Sequence, residues 1–332
     1  MLWQILVFLA GIGLLVGGAW LLVTGGSRVA AVLRVPPVVV GLTVVAFGTS
    51  APELFVSLAG AIKGNTGLVL GNVIGSNVAN LGLILALAAL LRPVIVEKGL
   101  SRKEVPLLLG ATVLFIVLAW DGRLGHVDAG FLVAGFLVFM WWTLSNRDRD
   151  VVVTGVPEKL PDIDPDHRTR EVVRGGGMSL LGVGGLAAGG HFIVSSALTL
   201  AVSIGISETL IGLTLVAVGT SLPELATTVV AALRNEDDLA LGNIIGSNLF
   251  NILAVAGPVG LVRNLDAESG LPSLTGFPLQ PTQLQVQMIS MLVLTIMVFT
   301  MIILGRGKIG RWRGTALLLT YTLIMYIWAT LN

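Results

Sequence analysis

The chain has no cysteine, and only 12% of its 332 residues are charged. The first absence rules out a disulfide framework and any metal site built on thiolates. The second rules out an ordinary soluble domain, in which about a quarter of the residues carry charge. Histidine is also scarce, with three in the chain and none near Ser50 or Ser221, so no serine-hydrolase or metalloprotease grouping is available. No aspartate lies well inside an apolar segment, Asp128 standing at the very end of one, which excludes an intramembrane aspartyl protease. What is present is apolar sequence: hydrophobic residues make up 55% of the chain and glycines number 42. This is the composition of a multi-pass membrane protein.

A helix that crosses the hydrocarbon core needs about 20 mostly apolar residues. That criterion predicts an all-α protein of ten transmembrane helices over 2–24, 36–61, 67–91, 103–120, 127–145, 178–203, 208–233, 239–262, 286–304 and 313–331. The start of the chain has no basic n-region, so the first segment reads as a retained helix and not a cleaved leader. The polar stretch 146–177 divides the chain into five-helix halves, 1–145 and 178–332, joined by a cytoplasmic loop. Its run Asp162-Ile163-Asp164-Pro165-Asp166 opens like a calcium loop, but His167 and Val173 occupy the positions that need glycine and glutamate. It reads as a solvated acidic patch. Placing the N-terminus outside puts 17 of the 20 Lys and Arg residues on the inner side, leaving Lys63, Arg123 and Arg263 outside. Basic loops stay cytoplasmic, so both termini are expected outside the cell membrane.

The halves repeat each other. The segment from Gly41 to Leu54, GLTVVAFGTSAPEL, returns 171 residues later as GLTLVAVGTSLPEL, from Gly212 to Leu225, with eleven of fourteen positions identical. The block from Leu70 to Asn80, LGNVIGSNVAN, returns at the same offset as LGNIIGSNLFN, from Leu241 to Asn251. The repeated regions are about 36–91 and 208–262. An odd number of spans per half makes the second half enter from the opposite face, giving inverted repeats with a site near the bilayer midplane.

Of the 19 acidic residues, only Glu53 and Glu224 lie well inside apolar segments. Even on the mildest scale such a charge costs about 2.5–3.5 kcal/mol at the bilayer centre. No basic partner lies in a helix core, so a bound cation is the expected counter-charge. Pro52 and Pro223 remove amide donors, and Gly48 and Gly219 ease unwinding, which predicts broken helices whose carbonyls, near Ala46, Phe47, Ala217 and Val218, face a cavity. Thr49, Ser50, Thr220 and Ser221 add hydroxyls beside the breaks. In the next helix Asn72, Ser76 and Asn80 share one face, and Asn243, Ser247 and Asn251 repeat that stripe. Asn72, Asn77, Asn243 and Asn248 read as glue between helices, and the glycine pairs Gly71 and Gly75, and Gly242 and Gly246, as close-packing surfaces. His191, which falls opposite Trp20 in the repeat, reads as a packing residue. Oxygen ligands with two negative charges suit hard cations, Ca²⁺ or several Na⁺, and not zinc or copper.

The paired G-T-S-x-P-E-L and G-N-x-x-G-S-N-x-x-N blocks resemble the α-repeats of the cation/Ca²⁺ exchanger superfamily, specifically its sodium/calcium exchangers. The resemblance spans both repeats and implies an antiporter, not an enzyme, with Ca²⁺ and Na⁺ as cargo and no resident cofactor. It implies Glu53 and Glu224 as central ligands, with Thr49, Ser50, Ser76, Asn80, Thr220, Ser221, Ser247, Asn251 and the carbonyls of Ala46 and Ala217 around them. It also implies alternating access by movement of the first and sixth helices. Potassium-dependent relatives carry aspartate where this chain has Asn251, so potassium coupling is not expected. Proton/Ca²⁺ exchange is the alternative, and relatives of that kind resemble G-N-x-x-E-L instead. The middle loop is too short for calcium-sensing domains. The lipid bilayer is the expected partner, with no nucleic acid and no obligatory protein.

Overall fold

The computed structural model describes residues 2–33, 35–95, 98–145, 165–203, 217–266, 281–305 and 307–331. It is a bundle of helices, as the apolar runs require: with no water to satisfy exposed amides in lipid, helices bond their own backbone. In chain order they are α1 Leu2–Leu33, α2 Pro37–Ile62, α3 Thr66–Leu91, α4 Lys98–Ala119, α5 His126–Ser145 and α6 Pro165–Ser203. Then follow α7 over 217–233, α8 Asp237–Val262, α9 Pro281–Leu304 and α10 Arg311–Leu331. Among the described residues, eight helical stretches are long and apolar enough to cross a membrane, while Glu104–Ala119 and Leu222–Leu233 are shorter apolar helices.

Two helices are longer than the hydropathy implies. α6 begins at Pro165, inside the polar stretch expected to be loop, and α1 runs on to Leu33. The two extensions support each other: Arg28 pairs with Glu171 at 2.9 Å, and Arg168 Nε donates to the Val32 carbonyl at 3.1 Å. Hydropathy locates only the apolar part of a helix, so a polar extension held by partner contacts escapes it. Asp162–Asp164 lie outside the described residues.

α1 and α6 pack antiparallel along glycines spaced by seven. A Cβ on Gly18 would lie 2.7 Å from the Leu186 nitrogen, and one on Gly182 would lie 2.6 Å from the Leu22 nitrogen. Gly11 meets Gly189, and Gly25 meets Gly175, in the same way. The backbones touch, which only small residues permit. The same device joins α2 to α8, where Gly41 meets Leu239 and Gly242, and Gly246 meets Leu42 and Ala46, whereas Gly75, expected to match Gly246, faces open space with nothing within 4 Å.

α2, α3, α7 and α8 are buried at the centre and carry both repeated blocks. Arg92, after α3, donates to the Ala232 carbonyl at 2.7 Å and pairs with Asp237 at 3.0 Å, across the α7–α8 turn. At the offset of 171, Arg263 donates to the Ala61 carbonyl at 3.4 Å across the α2–α3 turn. Each repeat thus holds the helix ends of the other. Two short antiparallel bridges, Val94–Ile95 with Lys308–Ile309 and Arg123–Leu124 with Leu265–Asp266, tie in the flanking helices.

Candidate ion site

Glu53 follows Pro52 in α2, and Glu224 follows Pro223 in α7. Each is 1% exposed. The two halves reach this geometry differently. α2 stays helical through Pro52, from Ala46 to Ile62, and its irregularity is a π-helical turn at Gly41–Val45. The expected break beside Glu53 is therefore absent: a proline removes one hydrogen bond, and packing of α2 on α8 holds the rest of the helix. In α7 the helix does break, at Ser221 (φ −87°, ψ 5°), between Ala217–Thr220 and Leu222–Leu233. Residues 208–216 of the second repeat lie outside the described residues.

Proline deprives the carbonyl four residues earlier of its usual donor. That singles out Gly48 and Gly219, whereas the sequence reading pointed to the carbonyls at 46–47 and 217–218. The Ala46 carbonyl accepts from the Thr49 hydroxyl at 3.3 Å, and Ala217 opens the first piece of α7. Gly48 and Gly219 also allow α6 to pass close by. A Cβ on either would come within 2.5 and 2.3 Å of Val183 and Val194 respectively.

The predicted ligands divide into two sets. Thr49, Ser50, Glu53, Thr220, Glu224 and Ser247 form a connected group. Ser50 Oγ donates to Glu224 Oε1 at 3.0 Å, directly across the two repeats. Thr49 Oγ1 donates to Asn243 Oδ1 at 3.1 Å and lies 3.3 Å from Ser247 Oγ. The hydroxyls of Thr49 and Ser247 also face Glu224, while Thr220 faces Glu53, and the two carboxylates are close enough to repel. Asn80 opens a π-helical turn in α3 (Asn80–Ile84), and Asn251 sits in the matching turn of α8 (Phe250–Val255). Both are buried, yet among the described residues no hydrogen bond joins them, Ser76 or Ser221 to a glutamate.

The unpaired groups show what the site lacks. Neither oxygen of Glu53 accepts a well-formed hydrogen bond from the protein, nor does Glu224 Oε2. Ser221 Oγ and both amide atoms of Asn80 and of Asn251 are likewise without partners. Buried polar groups are ordinarily satisfied. Here, carboxylate and neutral oxygens accumulate with no ion pair to either glutamate among the described residues. No cluster of three or more Asp, Glu, His or Cys occurs among them either. The arrangement can neutralise a hard cation by two charges and surround it with uncharged oxygens.

Of the four asparagines expected to glue helices together, Asn72 and Asn243 do so, while Asn77 and Asn248 turn back on their own helices. Asn72 Nδ2 donates to Ser57 Oγ at 3.0 Å and to the Glu53 carbonyl at 3.3 Å, and Asn243 Nδ2 donates to Thr228 Oγ1 at 3.0 Å. Asn77 and Asn248 bond the carbonyls of Val73 and Ile244 on their own helices. His191 is exposed on α6, its ring 6.2 Å from that of Phe192. One contribution that the sequence reading missed is the pair of arginines, Arg92 and Arg263, that hold the core turns. Their signal was their shared offset of 171.

The family model for "Sodium/calcium exchanger protein" matches residues 3–145 and 175–329. The chain is 31% identical to the sodium/calcium exchanger MaX1 of Methanosarcina acetivorans, over 97% of each chain. It is 36% identical to the inner membrane protein YrbG of Escherichia coli K12, over 77% of this chain and 79% of that one. Among solved structures it is similar to the sodium-calcium exchanger NCX_Mj soaked with zero Na⁺ and Ca²⁺. There the TM-score is 0.81 and the identity 31%, with 99% of each chain covered.

Proposed function

The chain belongs to the sodium/calcium exchanger family, and on that premise we propose that it is a secondary-active antiporter exchanging Na⁺ for Ca²⁺ at one shared site between α2, α3, α7 and α8. The observation that carries this reading is the buried pair Glu53 and Glu224, of whose four carboxylate oxygens only one accepts a well-formed hydrogen bond. One Ca²⁺ neutralises both carboxylates, and sodium ions do the same from neighbouring oxygens, so the two cargoes compete. Thr49, Ser50, Ser76, Asn80 and the Ala46 carbonyl would serve from the first repeat. Thr220, Ser221, Ser247, Asn251 and the Ala217 carbonyl would serve from the second. Exchange of more than two Na⁺ per Ca²⁺ moves net charge.

Ten spans in two inverted repeats, with the site near the bilayer midplane and both termini outside, complete the proposal. Its support is the exchange of contacts at the offset of 171: the pair Gly11 and Gly189 maps onto Gly182 and Gly18, which also touch. Alternating access then follows from movement of α1 and α6 against the core. No resident cofactor or catalytic chemistry enters. Na⁺ is favoured over H⁺ as the driving ion by the family match and by the G-T-S-x-P-E-L motif in both halves. Radiolabelled Ca²⁺ uptake into proteoliposomes under imposed Na⁺, K⁺ or H⁺ gradients tests this. Uptake driven by H⁺ and indifferent to Na⁺ would overturn it.

A further inference from the structure

The two turns that end α2 and α7 are alike in backbone and different in what they hold. Asn65 N bonds the Gly60 carbonyl at 2.8 Å, and at the offset of 171 Glu236 N bonds the Ala231 carbonyl at 2.9 Å. Gly64 and Asn235 both take left-handed conformations (φ 83° and 63°), open to glycine and tolerated by asparagine. An arginine from the other repeat grips each turn, Arg92 on one and Arg263 on the other.

The side chain that opens each turn breaks the match. Arg234 Nη1 donates to Thr24 Oγ1 of α1 at 2.6 Å, and its guanidinium lies 5.4 Å from the centre of the Trp20 ring. It therefore joins the central block to the α1/α6 pair. That pair is itself one body, bound by backbone-to-backbone glycine contacts and the Arg28–Glu171 ion pair. The counterpart of Arg234 is Lys63, and the counterparts of Thr24 and Trp20 are Ser195 and His191 on α6. Among the described residues Lys63 is exposed with no such bond. The Ser195 hydroxyl turns back to the Phe192 carbonyl at 3.3 Å, and His191 is exposed. In a protein of two related halves, a contact made by one half and not by the other marks which of two arrangements the molecule is in.

We propose that Arg234 is a latch holding α1 and α6 in one register on the core, and that Lys63 makes the matching contact with Ser195 and His191 in the opposite register. The inference rests on the alternating-access reading above. The chemistry suits both ends: a guanidinium stacks on Trp20 while donating to a hydroxyl, and an ammonium donates to a hydroxyl and to an imidazole nitrogen. Arg234 lies at the end expected to be cytoplasmic, so the latched state is closed to the cytoplasm and open to the outside. Release of Arg234 and capture by Lys63 accompany the passage to the inward-open state.

The chain is free of cysteine, so introduced pairs can be cross-linked cleanly. The pairs are Thr24→Cys with Arg234→Cys and Lys63→Cys with Ser195→Cys, each reconstituted in proteoliposomes and treated with a short bifunctional methanethiosulfonate. Each cross-link is expected to stop Na⁺-driven Ca²⁺ uptake, and reductant to restore it, which also shows that the variant is folded. In the variant carrying all four cysteines, peptide mapping should find one cross-link or the other in a molecule, never both. Cross-links that coexist, or that leave uptake intact, overturn the latch. Separately, Arg234→Ala should lower the Ca²⁺ concentration for half-maximal uptake from the cytoplasmic side, and raise it from the other side, by about tenfold, the scale of a lost charged hydrogen bond. Arg234→Lys should restore much of that, and an equal effect on both sides contradicts a latch. Failure of the native, cysteine-free protein to exchange Na⁺ for Ca²⁺ would overturn the functional reading instead, and mutual exclusion of the cross-links would still report on the latch.

Discussion

Replacing Glu53 by glutamine tests the shared-site reading most directly. Glu53 is the less compensated of the two carboxylates: neither of its oxygens accepts a well-formed hydrogen bond, whereas Glu224 accepts one from Ser50. The amide keeps the side-chain volume and removes one of the two charges facing the ion. Unit charges about 4 Å apart interact by about 4 kcal/mol at an effective dielectric constant of about 20, and a divalent ion doubles this. If dehydration offsets half, about 4 kcal/mol remains, close to a thousandfold in affinity. Calcium at a hundred times its dissociation constant stabilises a protein by about 2.7 kcal/mol. At the same Ca²⁺ concentration a variant binding a thousandfold more weakly gains less than about 0.1 kcal/mol. Thermal unfolding of the purified protein with and without Ca²⁺ should therefore show a shift for the native chain and none for Glu53→Gln. The Ca²⁺-free transitions should stay close, and Na⁺-driven Ca²⁺ uptake should be lost. A monodisperse Glu53→Gln protein that retains both the shift and the uptake would refute the reasoning.

Three further outcomes are expected. Exchange should need no K⁺, while Asn251→Asp adds a third buried carboxylate that a proton or a further cation must neutralise. Na⁺-driven Ca²⁺ flux of that variant should depend more steeply on pH than that of the native protein, and identical profiles would count against Asn251 lying at the ion site. Cysteines placed at Asp121 and Ser145 should react with an impermeant maleimide from opposite sides of the membrane, and labelling of both from outside intact cells would contradict the basic-residue topology. Gly18→Ala, whose new methyl would meet backbone atoms of α6 at 2.7–2.9 Å, should cost about 1–3 kcal/mol in thermal unfolding. Gly13→Ala, where nothing lies within 4 Å, should be neutral or stabilising by up to about 1 kcal/mol, so equal losses would contradict the backbone contact.

Much of this protein could be read without coordinates because a bilayer leaves few choices. Apolar length sets most helix positions, basic residues point to an orientation, and a carboxylate at membrane depth demands a counter-charge. Duplication then singles out Glu53 and Glu224, since two copies of a costly residue in register are not accidents of composition. Other features depended on packing between segments far apart in the chain. Only the contacts of α1 with α6 show that α6 begins at Pro165, because a polar helical extension has no hydropathic signature. α2 runs unbroken through Pro52 while α7 breaks at Ser221, although both carry Gly-Thr-Ser and Pro-Glu. The same local signal meets different neighbours, and the neighbours decide. The joining of Ser50 to Glu224, of Arg92 to the α7–α8 turn and of Arg234 to Thr24 likewise belongs to the tertiary structure. Sequence supplies the groups and their periodicity, but the fold alone decides which groups meet.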